Sequence, residues 1–106
     1  MEYKFTADNF GAEVLQASTP VLVDFYADWC NPCRMMGPLV AKVAEEYAGR
    51  IKVGKCNIDE NMELAATYRI SSIPAFVVFK GGKPVATYVG GMSAADLREK
   101  MEQVLA

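Results

Sequence analysis

Cys30 and Cys33, with Asn31 and Pro32 between them and Trp29 immediately before, are the residues of this chain best suited by type and spacing to do chemistry. Two thiols at this spacing come close enough to close a small ring, and such a pair can exchange disulfides or hold a metal. A haem adduct would need histidine after the second cysteine, but position 34 is Arg and the chain contains no histidine. A structural zinc site normally takes four ligands, and Cys56 is the only further thiol. An iron–sulfur cluster shared between two chains stays open on these grounds. Local context favours disulfide exchange. The apolar run Val21–Ala27 leads into the cysteines and a helix-periodic segment leaves them, so the thiols lie at a strand-to-helix junction. Backbone N–H groups at a helix start favour negative charge, which stabilises a thiolate at Cys30 and should lower its pKa below the roughly 8.5 of a free thiol.

The elements that must position this pair follow from periodicity. Phe5 lies in a short strand, after which Thr6 or Asp8 can cap a helix carrying Phe10, Val14 and Ala17. Pro20 ends that helix. The run from Val21 is apolar on both alternating faces, the mark of a central strand covered on two sides, and Asp24 is its only charge. Met36, Val40, Val43, Ala44 and Tyr47 form one stripe of the helix after the cysteines, with Lys42, Glu45 and Glu46 outside it. Pro38 within that helix removes a hydrogen bond and should kink the axis, and Gly49 closes it. Ile51–Ile58 reads as a further strand, with Asp59 capping a short helix that carries Leu64, Ala65 and Tyr68. The pattern then changes. Ala75–Phe79 and Val85–Val89 flank Gly81-Gly82 as a hairpin, and Pro84, lacking an N–H, places the second strand at a sheet edge. Ser93 and Asp96 resemble a capping box for a last helix bearing Leu97, Met101, Val104 and Leu105.

Composition bounds the function. The 106 residues, 52% of them hydrophobic, fit a single domain over 1–106 that needs no disulfide framework. Eleven basic and 13 acidic residues are well mixed, so neither a nucleic-acid surface nor an acidic tail is expected. The first residues lack the pattern of a signal peptide and no apolar run approaches the ~20 residues of a membrane span. The simplest placement is the cytoplasm, where thiols are kept reduced.

The W-C-x-P-C core, the preceding Val-Asp-Phe-Tyr-Ala strand, Pro38, Lys55-Cys56-Asn57-Ile58-Asp59, Ile73-Pro74 and Val89-Gly90 occur in one order and spacing that together resemble the thioredoxin family over essentially the whole chain. The resemblance implies an α/β, thioredoxin-like fold, a central five-stranded mixed β-sheet flanked by four α-helices. It implies a monomeric protein-disulfide reductase without a bound cofactor, acting on disulfide-containing client proteins and re-reduced by a thioredoxin reductase-like flavoprotein that uses NADPH. By the same resemblance Cys30 attacks the client, Cys33 displaces it, and Asp24 serves Cys33 as general base through water. A carboxylate in an apolar strand is costly, so Asp24 is not expected to be there for stability. An edge position with solvent access is the alternative. Lys55 would modulate Asp24 or merely cover the surface. An Ile73–Pro74 bond in cis is implied, and Trp29, Ile58, Ile73, Pro74, Gly90 and Gly91 would form a shallow docking surface for extended peptide. Two positions depart from the family. Asn31 stands where glycine is usual, and Tyr26 where another aromatic residue is usual. Asn31 and Pro32 between the sulfurs, with Lys55, are the positions expected to tune the potential, and a potential raised by Asn31 would suit an oxidase or isomerase. A non-catalytic binding module that uses the same surface is the other alternative. Cys56 reads as a buried small hydrophobe or a secondary redox site.

Overall fold

A computed structural model describes residues 1–106. Five strands form one mixed sheet in the order β1-β3-β2-β4-β5. β1 (Tyr3–Lys4) and β2 (Val21–Tyr26) run parallel to β3 (Lys52–Asn57), while β4 (Ala75–Lys80) is antiparallel to both β2 and β5 (Lys83–Val89). The central place of β2 follows from its sequence, because only a strand paired on both sides and covered on both faces can be apolar at successive positions.

Side chains alternate between two cores. Leu22, Val53, Phe76 and Val78 face α1 (Asn31–Glu46) and α3 (Ala94–Leu105), where Met36, Val40, Val43, Leu97 and Met101 close the layer. The five residues of the predicted α1 stripe are all buried, and burial of the methionine and valine side chains among them contributes on the order of 1.5–3 kcal/mol each. Phe5, Val23, Phe25, Cys56, Val77 and Phe79 face the other way, with Phe10 and Val14 of a π-helix (Gly11–Leu15) and Leu64 and Tyr68 near α2 (Met62–Thr67) packed on them. The sheet is thus flanked by four helices. Gly54 of β3 is demanded by this second layer, since a Cβ there would lie 2.5 Å from the Phe5 ring.

Several boundaries differ from the sequence reading. β1 stops at Lys4, although Phe5 N–H still donates to the Lys55 carbonyl at 2.8 Å. Thr6, not Asp8, caps the first turn, its hydroxyl accepting from Asn9 N–H while the Asn9 carboxamide accepts from Thr6 N–H. Asp59 caps nothing. The turn into α2 is made by Asn57, whose Oδ1 accepts from Asp59 and Glu60 N–H at 2.8 and 3.2 Å. Helix α1 runs unbroken through Pro38. Leu105, expected in the last stripe, is exposed because the helix ends beside it, whereas Leu97, Met101 and Val104 are buried. Ser93 caps α3 as expected, accepting from Asp96 N–H at 3.1 Å. Gly81 and Gly82 turn the hairpin with φ of 60° and 78°, the pair of positive values that a two-residue turn matched to strand twist requires. Pro84 lies on the edge strand β5.

Candidate functional site

The end of β2 delivers Ala27 and the loop residues Asp28 and Trp29 to the start of α1, where Cys30 is the N-cap and Cys33 is in the first turn. Cys30 and Cys33 are joined in a disulfide. Pro32 fits this first turn because its missing N–H has no intrahelical partner to lose. The Cys33 N–H donates to Cys30 Sγ at 3.3 Å, so the sulfur occupies the place that a hydroxyl or carboxylate takes in an ordinary N-cap. On reduction, negative charge on that sulfur faces unsatisfied backbone donors and the positive end of the helix dipole. The two residues differ little in exposure, 6% for Cys30 and 4% for Cys33, and what distinguishes them is this capping position, not solvent access.

Around the sulfurs, Ala27, Tyr26, Ile58 and Ile73 form a small apolar cluster. The Ile73–Pro74 bond is cis, and the Ile73 carbonyl lies 3.8 Å from Cys30 Sγ. Pro74 is buried and its carbonyl accepts from Gly90 N–H at 2.8 Å, tying the proline loop to the end of β5. Trp29 is 68% exposed and its indole N–H donates to Asp59 at 2.9 Å. Of the six residues expected on the docking surface, Ile58 and Ile73 reach the cysteines directly and Gly90 is joined to Pro74. Gly91 lines a cleft of about 350 Å³ with Pro32, which stands between the two cysteines, and with Met35, Met36, Leu39 and Met92.

Beneath the disulfide, on the α1 side of the sheet, Asp24 is 3% exposed and its Oδ1 has no hydrogen-bond partner. The edge alternative is therefore corrected. Asp24 sits mid-strand between β3 and β4, opposite Lys55 and Phe76. It lines a cleft of about 380 Å³ together with Cys33, Tyr26, Lys55 and others. Burial pushes the Asp24 carboxyl up to about 7, Glu2 pushes in the same direction, and Lys55 opposes both. Lys55 forms no ion pair with it; its ammonium stands 5.7 Å from the Tyr26 ring centroid. Cys56 is fully buried, and burial, with Asp24 nearby, raises its thiol to about 11, which leaves it protonated and unreactive at neutral pH. Asn31 is exposed at the first helical position.

Sequence reasoning missed Glu2 and gave Asp59 the capping role that Asn57 fills. The signal for Glu2 was parity, because a residue three before the buried Phe5 falls on the opposite face of its strand, where Asp24 lies. Nothing in the sequence marked Asp59 as the partner of Trp29.

No three histidine, cysteine, aspartate or glutamate side chains of this chain are grouped as metal ligands. A disulfide at a helix start beneath a cis-proline loop, next to an acid buried in the sheet, defines a thiol–disulfide oxidoreductase of the thioredoxin fold. The thioredoxin family model matches residues 2–103. Thioredoxin 1 of Nostoc sp. is 47% identical over 100 residues, covering 94% of each chain. The thioredoxin of Acidithiobacillus ferridurans is 47% identical over 98 residues, 92% of this chain and 91% of its own. That of Chlorobaculum thiosulfatiphilum is 40% identical over 101 residues, 95% and 94% of the two chains. The chain belongs to the thioredoxin family, and it is a protein-disulfide reductase.

Proposed function

We propose that Cys30 is the attacking sulfur, Cys33 the resolving one, and Asp24 the base that serves Cys33. The thiolate of Cys30 attacks one sulfur of a client disulfide; a mixed disulfide forms and the client's other sulfur leaves as a thiolate. Cys33 then gives up its proton, and its sulfur attacks Cys30 and expels the second client thiolate. The client gains two electrons and two protons, and the protein ends as the Cys30–Cys33 disulfide. Two electrons from NADPH, delivered by a flavoprotein reductase, would return it to the dithiol in the cytoplasm. Trp29, Ile58, Ile73, Pro74, Gly90 and Gly91 serve as the surface for the client strand, with the Ile73 backbone beside Cys30 available to pair with it. Asn31, Pro32 and Lys55 tune the pair.

The observation that carries this order is the Cys33 N–H donated to Cys30 Sγ, which marks Cys30 as the sulfur at the helix N-cap. An Asp24 titrating near 7 can accept a proton at neutral pH and return it, which a carboxylate at the usual value could not do as readily. Trapping tests the order. With insulin as the model disulfide, Cys33→Ser is expected to accumulate a stable mixed disulfide through Cys30, and Cys30→Ser little. Equal trapping by the two variants would mean that the N-cap does not select the nucleophile.

A further inference from the structure

Besides Asp24, the cleft under the disulfide holds two further carboxylates, Glu2 and Asp28. β1 pairs with β3 in the register Tyr3↔Gly54 and Lys4↔Lys55, and β3 pairs with β2 in the register Asp24↔Lys55. Tyr3 and Phe5 belong to the core on the far side of the sheet. Alternation therefore places Glu2 on the near side, with Lys55 and Asp24. The side chains agree, for Glu2 lines the same cleft as Asp24, Cys33 and Lys55. Its position is bracketed: Tyr3 is fixed by strand pairing, and the Met1 ammonium lies 2.9 Å from the Glu45 carboxylate on α1. Asp24, almost wholly buried and with Oδ1 unpartnered, has no hydrogen bond there that would swamp the effect of neighbouring charge.

We propose that Glu2 is a positioning residue for the proton on Asp24: its negative charge, shared with Lys55 across the cleft, holds Asp24 protonated to higher pH and so sets where the Cys33 base becomes available. The proposal rests on the reading of Asp24 as that base. The groups facing Asp24 are Glu2 from the segment before β1, Tyr26 from β2, Asp28 from the loop after it, Cys33 and Arg34 from α1, and Lys55 from β3; its β4 neighbour Phe76 carries no charge, and Cys56 of β3 lies on the other side of the sheet. Two of these act on Asp24 in opposite senses, Glu2 raising its proton affinity and Lys55 lowering it. Burial raises the proton affinity of Glu2 itself, and Lys55 opposes that rise as it does for Asp24. Neutralising Glu2 thus removes a repulsion from Asp24 and leaves the attraction of Lys55 in place, which favours the ionised base.

The test pairs Glu2→Gln with Lys55→Met. The Asp24 carboxyl is titrated by carbon NMR in the oxidised protein, and the rate of release from the mixed disulfide with insulin is followed against pH. Glu2→Gln is expected to move the Asp24 midpoint down by roughly half a pH unit or more, with the acid limb of the release profile following it, and Lys55→Met to move both up. An Asp24 midpoint within about 0.2 pH units of wild type in folded Glu2→Gln overturns the proposal, since a charge in the same cleft must register at that level. A midpoint that falls while the release profile stays fixed upholds the coupling but removes Asp24 as the base of Cys33. The two failures are therefore distinct, and a merely structural role for Glu2 moves neither midpoint.

Discussion

At the scale of residues, the chemistry of this protein comes from placing ordinary groups where water and partners are withheld. Cys30 is a common thiol moved to a helix N-cap, and Asp24 a common carboxyl moved into a sheet. The departure with the clearest consequence is Asn31, exposed at the first position of α1 between the two sulfurs. Its carboxamide brings a donor and an acceptor to the residue next to Cys30, and such groups interact differently with a thiolate than with a disulfide. Asn31→Gly should therefore change the reduction potential measured against defined thiol buffers, ~30 mV corresponding to about 1.4 kcal/mol for a two-electron couple. A change under about 5 mV would show that position 31 does not tune the pair. Cys56 shows the converse, for burial without a nearby cation makes the third thiol inert.

At the scale of elements, the parts of the fold that sequence periodicity revealed are those where one residue's neighbours along the chain determine its burial. The stripe of α1, the doubly apolar β2 and the Gly81-Gly82 hairpin were legible for that reason. Asp59 was misread because a carboxylate before a helical segment suits a cap equally well when its real partner, the Trp29 indole, lies thirty residues earlier in the chain. The same limit hid a tertiary demand on the hairpin. Both turn glycines have positive φ, but a Cβ on Gly81 would meet open space, whereas one on Gly82 would lie 2.6 Å from the Leu15 carbonyl oxygen at the end of the π-helix. Gly81→Ala should cost about 1–2 kcal/mol, the strain of a left-handed alanine alone. Gly82→Ala should cost more, roughly 2–4 kcal/mol, because backbone must also move. Equal denaturant midpoints for the two variants would mean that the hairpin and the π-helix do not constrain one another.

At the scale of the whole molecule, Asp24 as the proposed base would tie the fold's stability to its function. Its place in the sequence made burial legible, since no flank of β2 is polar; what the sequence left open was whether Lys55 would offset that burial. The structure answers through register and packing: Lys55 is directly opposite but unpaired with Asp24, and desolvation outweighs it. The folded carboxyl therefore titrates near 7 against an ordinary value of 3.8. Between those values the native state holds a proton that the unfolded state has lost, so stability falls as pH rises from about 4 to 7. At most about 4 kcal/mol is lost in full above the folded pKa, at about 1.36 kcal/mol for each pH unit separating the two values. Asp24→Asn removes the ionisation without removing the polar atom. In denaturant melts of the oxidised proteins, the variant should match wild type closely near pH 4 and exceed it by roughly 1–4 kcal/mol at pH 8. On the proposed role of Asp24 as the base of Cys33, the variant's release of the mixed disulfide should be slower over the same range. A variant no more stable than wild type at pH 8, yet releasing its client normally, would show that Asp24 is neither a charge held at a cost nor a base.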